Sequence, residues 1–460
     1  MTLGDLQVPQ GMSWGTPGTI IVGGLGGLKA FPSVGGAPRW ISRADTAKGE
    51  TDQWWPLALP DGETVLYMGL TRNGVGAGRL SVLSLKTGRT ALLDLPGGQA
   101  LGVVDGRLIY IAPGVGLMAV PFDARQARPA GAFVPVLDGV ALDAIGGGKV
   151  ALSASGSLIY ESGQSTGQPV LVDGRGTAVT LRREALTYGD PRFSPDGHKI
   201  AFTVTAAQAQ DIWILDMAKG TFSRLTTEGQ NGRPEWSPDG KRVLFRSQRT
   251  SGTGIWWQPA DGSGPAELLF KPEADPFEAI LSPDGRYLIY RTGPDPKYTR
   301  DIFYVELKGD RTPKPLVVSP FSEQMPRLSP DGHWLAYQSN ESSTAEIYVR
   351  PFPGAGGRVQ VSTKGGTEPI WGRSGRTLYF RHGEQIIAAT VTTSPTFSIG
   401  ARQVALDGDY FTSVTHPDWD IAPDGSHFLM LKRSGEEAQT VVVLNWMQEV
   451  RARMAAGSKP

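Results

Sequence analysis

Residues 189–202 read GDPRFSPDGHKIAF, and this stretch decides the fold. In Ser194-Pro195-Asp196-Gly197 the proline presets φ, the aspartate offers a local acceptor and the glycine tolerates positive φ, which is tight-turn chemistry. Lys199 to Val204 then alternates apolar and polar residues, as a strand with two distinct faces does. The same string returns at Ser237-Gly240, Ser282-Gly285 and Ser329-Gly332. Degenerate copies stand at Gly15-Gly18, Leu59-Gly62, Val104-Gly106, Ser153-Gly156, Arg373-Gly375 and Ala422-Gly425. Counted at the Asp position, the series is 17, 61, 105, 155, 196, 239, 284, 331, 374 and 424, with intervals of 41 to 50 residues. Ten copies at one period mean a repeat architecture.

Each copy has the same grammar. After the turn comes one alternating strand, then another such as Asp211-Leu215, Gly254-Trp257, Asp301-Val305 or Glu346-Val349, then a short fourth such as Phe222-Leu225 or Arg358-Ser362. Four strands per repeat without intervening helices predict β-propeller blades. One short amphipathic helix is expected at the end, from Trp446 to Met454. The fold class is therefore all-β, a propeller of about ten four-stranded blades.

Composition agrees and excludes much. Gly 60 and Pro 35 are about 21% of the 460 residues, against roughly 12% in ordinary globular chains, without a collagen period. Lys+Arg 45 balances Asp+Glu 45, so a general nucleic-acid or anionic-membrane binder is not expected. Cys 0 removes disulfides, thiol catalysis and thiolate metal sites. No apolar run approaches the ~18 residues of a membrane span.

GDPRFSPDGHKIAF, DIWILD (211–216), PEWSPDGKRVLF (234–245), WWQPADGSG (256–264), LSPDGHWLAY (328–337), EIYVRPFPG (346–354) and the ending VVVLNW (441–446) resemble TolB-like propeller repeats. More narrowly, they resemble the propeller region of bacterial membrane-anchored serine/threonine protein kinases. The likeness covers essentially the whole chain. It implies an extracytoplasmic, periplasmic setting, yet Met1 to Val22 lacks the features of a secretion signal, so this chain alone is expected to stay in the cytoplasm. No H-R-D, D-F-G or Gly-rich loop with its lysine strand is present, so kinase activity does not transfer. The chain is read as an isolated propeller portion.

Two ring arrangements follow from ten repeats. Six positions before each Asp position, the last six repeats carry Asp190, Arg233, Glu278, Met325, Glu368 and Asp418; the first four carry Gly11, Trp55, Gln99 and Lys149. Two residues on, and on the same strand face, stand Arg192, Glu235, Ile280, Arg327, Ile370 and Asp420, against Ser13, Leu57, Leu101 and Ala151. Charge at channel positions thus favours a six-blade ring in 183–460 and four further blades in 1–182. The alternative is one ten-blade ring. The last repeat, ending in Thr440-Asn445, lacks a fourth strand; Ala178-Leu181 would supply it to a six-blade ring and Leu6-Val8 to a ten-blade one. An uncapped edge would favour homo-oligomers.

The chemistry is thinner. Gly163-Gln164-Ser165-Thr166-Gly167 matches the G-x-S-x-G elbow but has no helix after it and reads as a loop. Gly23-Gly27 and Gly74-Gly78 read as blade turns, and the paired Trp54-Trp55 and Trp256-Trp257 as blade packing. His198, His333, His382 and His427 occupy repeat positions and read as structural, whereas His416 precedes Pro417-Asp418 at the expected channel mouth.

Two functions are weighed. The leading one is a non-catalytic sensor or binding module for a protein or small-molecule ligand at the mouth, with Arg192, Arg233, Glu235 and Arg327 as ligand-binding residues. The alternative is a metal-assisted hydrolase of esters, lactones or phosphotriesters. There Asp190, Glu278, Glu368 and Asp418 would hold Ca²⁺ or another divalent ion, with His416 and Asp420 as catalytic residues. Against the metal, Arg192, Arg233 and Arg327 are available to pair with those acids.

Overall fold

A computed structural model describes residues 10–457 except 16–17, 72–73, 113–115, 143–146, 163–165, 185, 207–208, 294–299, 355, 395, 413–415 and 435–438. The chain is all-β, with many four-stranded antiparallel sheets consistent with propeller blades, plus a short C-terminal helix, Met447–Gly457. Among the described residues no helix is long and apolar enough to cross a membrane. It divides into two compact units, Thr166–Ser434 and Met1–Ser165 with Gly435–Pro460.

The unit Thr166–Ser434 contains six four-stranded sheets. Their innermost strands are Thr187–Phe193, Gln230–Trp236, Pro276–Leu281, Glu323–Leu328, Thr367–Trp371 and Trp419–Ile421; the blades are numbered in that order. Each interface between neighbouring blades is one apolar core. Ile212 and Ile214 of the first blade meet Val243 and Phe245 of the second, and Ile255 meets Leu288 and Tyr290 of the third. Ile289 and Ile302 pack on Leu335 and Tyr337 of the fourth, and Ile347 and Val349 on Leu378 and Phe380 of the fifth. Ile370 and Ile386 then meet Trp419 and Met430 of the sixth. Finally Leu429 and Leu431 pack on Ile200, Phe202 and Leu215 of the first. Strand alternation explains this: successive side chains enter opposite cores, so every blade is buried on both faces.

The Ser-Pro-Asp-Gly turns behave as their residues dictate. Each Ser hydroxyl donates to the Asp carboxylate two residues on, at 2.5–2.6 Å, and accepts the backbone N–H five residues on, at 2.9–3.0 Å. Gly197, Gly240, Gly285 and Gly332 all take φ between 66° and 75°.

The sixth blade departs from expectation. Ala178–Thr180 does form its fourth strand, but its third is Thr166–Asp173, paired with His427–Ser434 from Thr166↔Ser434 to Asp173↔His427. The expected third strand pairs elsewhere: Gln439–Val443 lies on Leu158–Ser162 in the other unit. Burial accounts for the choice. Val170 and Val172 are 1% and 0% exposed, as an interior blade strand requires, whereas Val442 stays 59% exposed. The expected boundary at 182/183 therefore differs from the observed division at 165/166 and 434/435. Because the sixth blade packs on the first, the single ten-blade arrangement is not formed. Leu6-Val8 and Gly163-Ser165 lie outside the described residues.

The other unit holds the first three repeats and the first half of the fourth. Met12–Trp14, Thr19–Leu25, Gly27–Pro32 and Arg39–Arg43 join Glu50–Ala58, Thr64–Thr71, Gly74–Ser84 and Thr90–Pro96 in one sheet through Gly24↔Gln53. Gln99–Val104, Arg107–Ala112 and Gly116–Asp123 begin the next, and Val150–Leu152, Leu158–Ser162 and Gln439–Val443 form the last. Gly74–Gly78, expected to be a turn, instead opens a strand. Trp446, Met447 and Val450, at the start of the helix, are buried with Ile109, Leu117 and Leu158.

Candidate functional site: the charged channel of the six blades

The inner strands place charge on the axis through a repeated bulge. Asp190, Arg233, Met325 and Glu368 have φ of 49°, 56°, 55° and 55°, each just before a proline and each at a register shift against the second strand. Left-handed non-glycine residues carry a cost, and bulges re-aim side chains. Here they bring the first of the two charged layers toward the axis. The second layer, with Arg192, Glu235, Arg327 and Asp420, lies nearer the Ser-Pro-Asp-Gly turns.

In the second layer Glu235 is the hub. Arg192 Nε donates to Glu235 Oε1 at 2.9 Å and Arg327 Nη2 lies 2.8 Å from the same oxygen. Arg192 also donates to the carbonyls of Pro191, Trp419 and Pro417 at 2.6, 2.9 and 3.2 Å, tying the first blade to the sixth. Burial alone would raise Glu235, but Arg327, Arg192 and His416 outweigh it and hold its carboxyl below the usual range.

In the first layer Glu278 pairs with Arg291 at 2.6 Å and accepts the Met325 N–H at 2.9 Å. Glu368 lies 3.2 Å from Arg381. Asp190 Oδ2 accepts the Thr203 hydroxyl at 2.7 Å, and its N–H donates to Asp418 Oδ1 at 2.9 Å. His416, 1% exposed, sits among these groups. Its Nδ1 is 3.1 Å from Asp190 Oδ1 and 3.3 Å from Arg192 Nη2, and its Nε2 is 3.8 Å from both Glu235 and Glu278. Burial, helped by Arg192, lowers the imidazole pKa against the pull of Asp190 and Glu278. Burial, then the charges of Asp190 and Glu368, push Asp418 up to about 7.

The expected residues are thus partly brought together. Arg192, Glu235 and Arg327 form one network. Arg233 stands apart, its guanidinium 3.7 Å from the Phe277 ring centroid. Asp190, Glu278, Glu368 and Asp418 share the axis, but among the described residues no group of three His, Asp or Glu side chains could hold a metal ion. Two of the four are turned toward arginines that the sequence reading passed over, Arg291 and Arg381. Both follow the aromatic residue in the second strand (LIYR, LYFR), directly beside the inner strand, and that position was the missed signal. The expected catalytic pair also changes character. His416 is buried rather than at an open mouth, and Asp420 accepts the backbone N–H groups of Phe193 and Ile421 at 2.8 and 2.9 Å.

A cavity of about 290 Å³ lies on the turn side of the second layer. Arg192, Glu235, Arg327 and Asp420 contribute charge to it, and Trp236, Trp371, Phe193 and Ile370 contribute apolar wall. Both indoles are pinned, Trp236 Nε1 to the Arg192 carbonyl and Trp371 Nε1 to the Arg327 carbonyl, each at 3.1 Å. Arg373 also lines it and donates to the Pro195 carbonyl, from the fifth blade to the first.

No curated protein matches the chain. Among solved structures, a putative TolB from Agrobacterium tumefaciens is 17% identical over 59% of this chain and 100% of its own, with a TM-score of 0.48. TolB from Acinetobacter baumannii is 17% identical over 60% and 73%, with a TM-score of 0.36. Kuenenia stuttgartiensis hydrazine synthase is 14% identical over 64% and 94%, with a TM-score of 0.43. The family described as TolB beta propeller domain, PD40, matches residues 176–299, so the chain carries TolB-type β-propeller repeats.

Proposed function

We propose that this TolB-type propeller is a non-catalytic binding module whose ligand seat is the cavity beneath the Arg192–Glu235–Arg327 network. The observation that carries the reading is a preorganised charged floor between two hydrogen-bonded indoles. At about 290 Å³ it is at the small end of ligand pockets, which suits a compact polar molecule or one side chain of a protein partner. The likeness of VRPFPG and LNW to kinase-borne propellers supports a sensing role. Metal-assisted hydrolysis gains no support from a channel in which Glu278 and Glu368 are each answered by arginine. The test is tryptophan fluorescence during titration with a panel of amino acids, small dicarboxylates and short peptides. A saturable response from Trp236 and Trp371, abolished in Leu328→Trp, which would fill the cavity, supports the seat. A response unchanged by that substitution, or none across the panel, overturns it.

A further inference from the structure

The turn after the inner strand breaks its repeat at one position of the ring. Its second residue is Pro195, Pro238, Pro283, Pro330 or Pro423 in five blades, whereas the fifth blade carries Arg373. A proline there presets φ and carries no charge. The arginine gives up that advantage and adds a long cation on the turn side of the ring.

The cation has a definite place. Arg373 Nη1 donates to the Pro195 carbonyl, so an arm of the fifth blade reaches past the sixth to the first. Both residues line the cavity of about 290 Å³, and both also line a smaller one of about 210 Å³. Their contact therefore borders the two. Arg373 itself is exposed.

The other charged groups of the two cavities are answered within the protein. Arg192 and Arg327 share Glu235 at 2.9 and 2.8 Å, and Asp420 accepts the Phe193 and Ile421 N–H groups. Asp196 accepts the Ser194 hydroxyl and the His198 N–H, and Asp239 the Ser237 hydroxyl and the Lys241 N–H. Among the described residues no carboxylate forms an ion pair with Arg373, and its side chain donates only to a neutral carbonyl. A guanidinium fork has donors to spare beyond one carbonyl.

We infer that the seat takes a monocarboxylate with a short apolar body, Arg373 holding the carboxylate and Trp236 and Trp371 walling the body. This rests on the binding seat proposed above and names its ligand class. The carboxylate replaces the Pro195 carbonyl as acceptor, which turns a neutral hydrogen bond into a charge-assisted, bidentate one. The lining charges agree. Arg192, Arg327 and Arg373 stand against Glu235 and Asp420, which leaves one positive charge for a ligand to answer. A second carboxylate on the ligand would meet those two acids instead.

The experiment is calorimetric titration of the full chain at neutral pH with 3-phenylpropionate and with its neutral amide, 3-phenylpropanamide. Wild type should bind the acid at least tenfold more tightly than the amide. Arg373→Pro, which installs the residue of the five other turns, and Arg373→Gln should each reduce acid affinity to that of the amide. Equal affinities in wild type, or a preference for the acid kept by either variant, overturn the role of Arg373 while the seat stands. No binding of either compound, or binding that survives Leu328→Trp, removes the seat and this inference with it. Should one Arg373 variant fail to fold, the other decides.

Discussion

Arg291 Nε lies 2.6 Å from Glu278 Oε1, with the two residues 0% and 2% exposed, and each is the other's register partner across the inner two strands of the third blade. A buried pair of this kind need not outweigh a hydrophobic pair, but losing one partner strands the other. Glu278→Ala or Arg291→Met should each destabilise the ring by about 3–5 kcal/mol in urea unfolding. The double variant should cost less than the sum.

The turn glycines give a second test. Gly240 has φ of 68° and Gly285 66°; a Cβ at Gly240 would meet Pro195 Cδ only at 3.6 Å, and one at Gly285 would meet nothing within 4 Å. Space is therefore not limiting, and the backbone alone sets the cost. Gly240→Val and Gly285→Val should each cost about 1–3 kcal/mol, and the corresponding Asn variants clearly less. Unequal midpoints for the two valine variants would refute the shared backbone cause.

Acid titration should show two opposed trends. Asp418 is raised to about 7 by burial and by the Asp190 and Glu368 charges, so the folded chain keeps a proton that the unfolded chain loses near pH 4. That contribution makes stability fall as pH climbs from about 4 to 7. Glu323, raised to about 7 chiefly by burial, acts with the same sign. His416 is depressed below its ordinary value, so the unfolded chain protonates first and stability is lost as pH drops below about 6.5. Asp418→Asn removes the Asp418 share of the first trend and leaves that of Glu323 and the opposed trend of His416. Its midpoint relative to wild type should rise between pH 5 and pH 8, and a flat difference would contradict the assignment.

Much of this was legible beforehand. The turn string, its period and the four-strand grammar announce the blades, and the same offset from each turn picks out Arg192, Glu235 and Arg327 as neighbours. Two things were not legible, for physical reasons. Gln439–Val443 is as good a third strand locally as Thr166–Asp173, and only burial on both faces decides which one joins the sixth blade. The neutralising arginines Arg291 and Arg381 sit on a different strand from the acids, so an offset along one strand could not find them.

Excision tests the division directly. Thr166 and Ser434 are register partners, so the ends of the six-blade segment lie side by side. A fragment 166–434 should express as a soluble, cooperatively unfolding β-protein. A broad, non-cooperative transition would show that the ring depends on the remaining chain.

The ring is also inserted between Leu158–Ser162 and Gln439–Val443, neighbouring strands of one sheet. On the ribosome the first of these emerges early and the second only after every blade of the ring has been made. At typical elongation rates the wait is on the order of tens of seconds, through which the unit built on Met1–Ser165 lacks an edge strand and the Trp446, Met447 and Val450 side chains that pack on Ile109, Leu117 and Leu158. Its completion therefore waits until the whole ring has been made. Premature termination anywhere in the ring would leave an early-made, aggregation-prone edge that no later folding of the ring repairs.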